Sequence, residues 1–174
     1  MPDGIALGPG EGHKIHGGAL NAVVKVAMSA PAFASTFEML VPPGYDVGAH
    51  VHGDGAEIFY VVSGQLDVLA FEPVDRSLPD WHEWRSESGQ AYLRGGPGSF
   101  LFVPPGVPHA FANPGDEPAT MFFQSSMSQG HEEYFEELAG LLRRSPGRPP
   151  GGAVADLRRR YAIEQITDLH PGRG

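Results

Sequence analysis

The sequence predicts an all-β domain, either a sandwich or a closed barrel, with one or two α-helices after it. Three observations carry this reading. Short apolar runs with period-two alternation recur between residues 19 and 125. The 24 glycines and 17 prolines fall between those runs rather than in one tract, so they mark turns and not low complexity. Beyond residue 130 the apolar spacing changes to that of a helix. At 174 residues the chain is one ordinary domain, long enough to bury a continuous core.

Residues 1–18 are rich in Gly and His without periodicity and read as an N-terminal arm. Ala19 to Met28 alternates loosely and stops before Pro31, giving the first strand. Phe37, Met39 and Val41 alternate along the next. Pro42, Pro43 and Gly44 end it, because proline cannot donate to a ladder. Val47 to Val51 is a short strand, Gly53 to Gly55 a turn, and Glu57 to Val62 a strongly β-forming run closed by Gly64. Gln65 to Phe71 resumes the pattern. Residues 72–97 are less regular and contain Trp81, His82 and Trp84. Ser99 to Val103, His109 to Ala112 and Thr120 to Ser125 complete the strands. From His131 to Arg144, the residues Tyr134, Phe135, Leu138, Leu141 and Leu142 lie at helical spacing, with acidic residues leading and arginines following as the helix dipole favours. Pro146 to Gly152 is a linker and Val154 to Ile166 a second helix. No internal repeat is visible, so the division is an arm (1–18), one barrel (19–128) and a helical extension with tail (129–174), the helices packing on the outside.

Composition narrows the partners. A net charge of −9 repels phosphate backbones and anionic lipid, which argues against nucleic acid and membrane. No apolar run reaches the length of a membrane span, and the first residues lack a basic flank and an apolar core, so the expected compartment is cytoplasmic. There are no cysteines, which removes disulfides, thiolate metal sites and cysteine nucleophiles.

The chemistry-bearing residues form a constellation. His50 and His52 are two apart on a strand, so their imidazoles share a face. A short Gly-containing turn lets Glu57, at the start of the next strand, return beside them. His109 follows the turn Pro104 to Pro108. Three imidazoles and a carboxylate suit one divalent transition metal (Fe, Mn, Ni, Co or Zn) rather than Ca or Mg, and leave coordination positions open. Alternation places Phe37, Met39 and Phe59 on the inner face, and Phe111 on the face of His109. These residues are candidates for an apolar pocket wall or for simple barrel filling.

Gly44, His50, His52, Glu57 and Gly64 match the first conserved motif of the cupin superfamily at every position, and Gly98, Pro104, Gly106, His109 and Asn113 match the second. The chain resembles the small bacterial monocupins of the quercetin-dioxygenase-like group. The resemblance implies a single jelly-roll barrel, the metal ligands His50, His52, Glu57 and His109, and turn roles for the four glycines with a structural Asn113. It also implies a small-molecule substrate, an aromatic or polyketide-like enol, oxidised by dioxygen, with Glu57 serving as both ligand and base, and a homodimer through the arm (1–18) or the strand at 19–28, a monomer with the arm tucked back being the alternative. A non-redox isomerase, cyclase or lyase would carry the same residues, as would a binding barrel without catalysis. The insertion with Trp81, His82 and Trp84 would serve as a lid or as an anchor. His13, His16, His131 and His170 receive no role. The five arginines Arg143, Arg144, Arg158, Arg159 and Arg160 read as a solvated helix face.

Overall fold

The computed structural model describes residues 4–29, 32–128, 130–145, 149–150 and 152–172. Most of the linker expected at 146–152 lies outside them. The chain forms two packed sheets in a jelly-roll barrel with two C-terminal helices. The strands are β1 (His13–Gly17), β2 (Leu20–Val26), β3 (Ser35–Val41), β4 (Tyr45–Asp46), β5 (His50–His52), β6 (Glu57–Ser63), β7 (Leu66–Ala70), β8 (Leu93–Gly95), β9 (Phe100–Val103), β10 (His109–Ala112) and β11 (Ala119–Ser125). They are followed by α1 (His131–Arg144), α2 (Ala153–Arg160), β12 (Ile163–Gln165) and β13 (His170–Pro171). One sheet runs β1-β2-β3-β11-β6-β9. The other runs β12-β5-β10-β4-β13, with β7 also on β10 and β8 on β7.

Alternation builds the first sheet's inner face in registered rows. Phe37, Phe123 and Phe59 lie side by side across β3, β11 and β6, and Met39, Met121 and Val61 form the row next to them. On the other side of the Phe row, Ser35, Ser125 and Glu57 form a polar row at the end of the barrel. All nine are buried. This register brings a carboxylate into the interior beside two hydroxyls, while Ile58 and Tyr60 point outward.

Four segments differ from the sequence expectation, each for a local reason. Residues 13–17 are not loose but pair with β2 as an edge strand. Of the expected strand Val47 to Val51 only the end is strand: β4 stops at Asp46 and β5 starts at His50, because Gly48 adopts a left-handed φ of 71° and breaks the ladder between them. The second helix stops at Arg160, and the chain turns through Ala162 at φ 54°. Ile163–Gln165 then runs as β12 beside β5, pairing Gln165 with His50 and Ile163 with His52. Finally, α1 does not simply decorate the outside. It lies so close to β1 that a Cβ on Gly17 would meet the Ala139 carbonyl oxygen at 2.1 Å, and Tyr134, Phe135 and Leu138 turn inward to close the barrel.

The insertion is an anchor. Trp81 and Trp84 are fully buried, the Trp81 indole N–H donates to the Asp46 carboxylate (3.0 and 3.1 Å), and that of Trp84 donates to the Leu78 carbonyl (3.1 Å). Neither indole lines the interior cavity. Among the described residues, no helix is long and apolar enough to cross a membrane.

Candidate metal centre

β5 and β10 are paired with His109 opposite His50, and β6 enters from the facing sheet with Glu57 as its first residue. His50, His52, Glu57 and His109 are all buried. The ligand atoms of His52, Glu57 and His109 lie within 4.8 Å of one another. His52 Nε2 is 3.3 Å from Glu57 Oε1, and His109 Nε2 is 3.0 Å from Glu57 Oε2. His50 stands outside that tight group, though its ring is 4.2 Å from the His109 ring between centroids and it lines an interior cavity with Glu57.

Backbone carbonyls set the tautomers. Nδ1 of His50 pairs with the Gly48 carbonyl (2.9 Å), Nδ1 of His52 with that of Asp54 (2.9 Å), and Nδ1 of His109 with that of Val107 (3.0 Å). A carbonyl only accepts, so each Nδ1 carries the proton and each neutral ring keeps its Nε2 lone pair free. His52 Nε2, His109 Nε2 and Glu57 Oε1 are buried with no aligned hydrogen bond despite their closeness. Buried polar atoms are seldom left so. Two imidazole lone pairs and a carboxylate oxygen converging without partners fit a divalent transition metal.

The electrostatics are those of a closely coupled cluster. Burial depresses the His50 pKa well below its ordinary value, and the neighbouring His109 and Arg158 add to the effect. For His52 burial acts in the same sense, but contact with Glu57 outweighs it and leaves the pKa raised. For Glu57 burial favours the protonated form, yet His109 and His52 overcome this and hold its pKa well below the carboxylate range.

Two residues that the sequence reading passed over belong here. His131, the first residue of α1, is buried, shares a hydrogen bond with Ser125 Oγ (3.0 Å) and brings Nε2 to 3.7 Å from Glu57 Oε1. Arg158 is not on a solvated face: it is fully buried and lines the cavity. The only sequence signal for either was a polar residue next to the apolar stripe of its helix.

The predicted wall is partly in place. Met39, Phe59 and Phe111 line the cavity, with Tyr134 and Phe135 from α1. Phe37 does not. It is sealed behind Phe123 (5.4 Å, stacked) and Phe135 (5.0 Å, edge-on). Because the aromatic rings pack mainly on one another, the cavity holds only about 30 Å³. A larger groove of about 180 Å³ lies between α2 and the tail, lined by Pro150, Val154 and Thr167, but it touches none of the clustered histidines.

The family model for the cupin domain matches residues 37–124. No curated protein matches the sequence significantly. Similar solved structures include a cupin 2 conserved barrel domain protein from Salinispora arenicola (17% identity over 80% of this chain and 97% of that one, TM-score 0.49). An oxalate oxidase is 16% identical over 71% of this chain and 59% of its own, with TM-score 0.50. The cupin domain of Schizosaccharomyces pombe Cnp3 is 13% identical over 63% and 66%, with TM-score 0.47. The chain thus spans about two thirds or less of the latter two.

Proposed function

We propose, from the premise that this chain belongs to the cupin domain family, that it is a metal-dependent dioxygenase of a compact enol, with His50, His52, Glu57 and His109 as the metal ligands. What carries the reading is the shared tautomer: three buried histidines, each with Nδ1 on a backbone carbonyl, two of them gathered around one buried carboxylate and the third beside His109. A bound Fe, Mn, Ni, Co or Zn ion would supply Lewis acidity toward the enol hydroxyl, and a redox-active one also the means to engage dioxygen. Glu57 would accept the hydroxyl proton at a carboxylate oxygen. Met39, Phe59 and Phe111 hold the carbon skeleton and exclude water. Both atoms of dioxygen enter the product, so no external reductant is required. The 30 Å³ cavity supports an enol smaller than a flavonol unless the aromatic wall moves.

The test is elemental analysis of protein purified without added metal, then an oxygen-electrode assay with compact 1,3-diketones beside a flavonol. Oxygen uptake that disappears in His50→Ala and Glu57→Ala supports the reading. Turnover without oxygen uptake would replace it with a non-redox isomerase, cyclase or lyase at the same centre. A protein that takes up no transition metal would leave a binding barrel. The proposal also includes a cytoplasmic location, consistent with the lack of cysteine, and a homodimer. Sedimentation at working concentration should give the mass of two chains, and a single-chain mass would remove the dimer.

A further inference from the structure

We infer that Arg158 is the counter-ion for a carboxylate group, so that the buried cavity takes a small carboxylic acid. As a statement about substrate this rests on the enzymatic reading above; as a statement about binding it stands by itself. Arg158 belongs to α2, outside the residues 37–124 that match the family. Its side chain is completely buried. Nε donates to the Tyr134 hydroxyl (3.1 Å) and Nη2 to the Val47 carbonyl (2.7 Å), while Nη1 has no partner. A guanidinium carries five N–H donors and keeps its charge at any pH a protein survives. Here two donors are used, both on neutral oxygens, and none of the ion pairs among the described residues involves Arg158.

A charge buried without a counter-ion is strongly unfavourable, and native proteins pair such groups. Glu57 is the one carboxylate on the cavity wall, and His52 and His109 already hold it. The missing negative charge must therefore come with the ligand. The free Nη1 and the second N–H of Nη2 form the edge of a planar fork, the arrangement that grips both oxygens of a carboxylate. Tyr134 and Val47 hold the guanidinium in place. Arg158 and His50 line one cavity. An acid seated on Arg158 would therefore present its other end to His50 and Glu57. About 30 Å³, room for roughly two waters, limits the ligand to a few heavy atoms unless the walls adjust.

The experiment uses the full chain, as purified and after chelation, with acetate and its neutral isostere acetamide as probes. Binding is followed by calorimetry and by the side-chain ¹⁵N resonances of arginine. Acetate should bind at least about tenfold more tightly than acetamide and shift the Arg158 resonances, with and without chelator. Arg158→Met should weaken acetate by a similar factor, and Arg158→Lys should recover part of it, since lysine keeps the charge but not the fork. Equal affinity for the two probes, no binding of either, or an Arg158→Met variant that melts like the parent and binds acetate as well would overturn the inference. If Arg158→Met does not fold, the acetate-to-acetamide ratio and the resonance shift in the parent decide. Acetate capture by a chain that neither holds metal nor consumes oxygen would uphold the anion site while removing the dioxygenase. Oxygen uptake with no response to acetate at Arg158 would remove the anion site alone.

Discussion

Each of the three clustered histidines commits Nδ1 to a carbonyl two residues away in sequence, at Gly48, Asp54 and Val107. The short local loops therefore set the ring orientations before any ion arrives, which lowers the reorganisation needed on binding. Glu57 bridges two of these rings, and Glu57→Gln keeps the shape while removing the charge. We expect it to lower divalent-metal affinity by about 100-fold or more, measured by competition with a chromophoric chelator. Asp46 offers a pH test away from the centre. Burial raises its pKa above the ordinary 3.8, although Gly48 N–H and the Trp81 indole donate to it. A folded-state pKa above the unfolded one gives stability that is full below pH 3.8 and lost as pH rises through the folded value. The parent should thus gain stability relative to Asp46→Asn as pH falls from neutral toward 4, read from paired urea melts, and a constant difference would refute this. At this scale the sequence pointed to His50, His52 and Glu57 through strand spacing and a short turn, and to His109 through the second motif that the chain resembles. His131 and Arg158 reach the cavity through the packing of two helices, which no local spacing encodes.

Among the elements, the strands of the first sheet other than β1 were legible because one face is buried and the other wet, as in β3, β6 and β11. The first helix was legible through its apolar stripe. The β12 strand was not. No proline or glycine interrupts the run from Val154 to Ile166, and only the turn at Ala162 and pairing with β5 separate β12 from α2. That tail is fastened at Gly48, where an added Cβ would sit 2.5 Å from the Thr167 carbonyl oxygen and 2.6 Å from that of Asp168. The Thr167 hydroxyl also accepts from Ala49 N–H at 2.8 Å. Gly48→Ala forces both a left-handed φ on a residue with a side chain and a clash with backbone. We expect a loss of about 2–4 kcal/mol in denaturant melts, together with weaker metal binding because β5 carries His50 and His52.

For the molecule as a whole, the centre and the core are one structure. The Phe row of β3, β11 and β6 lies directly beneath Glu57, and α1 caps both. A ligand that binds only the folded state stabilises it by mass action. Adding the preferred divalent metal at about 100 times its dissociation constant should stabilise the chain by about 2.7 kcal/mol and raise the melting temperature by roughly 5–10 °C, reversed by chelator. Unchanged melting across Fe, Mn, Ni, Co and Zn would speak against a metal centre. The barrel itself was readable from punctuation and alternation, whereas the volume left inside it was not, since that depends on how Phe59, Phe111, Phe123 and Phe135 stack.

The pairing of β12 with β5 also imposes an order on biosynthesis. A ribosome delivers His50 and His52 long before Gln165, so a nascent chain holds the histidine strand without its outer neighbour until residues 163–165 have cleared the exit tunnel. The outer neighbour of the histidine strand is thus added only after both helices have been made.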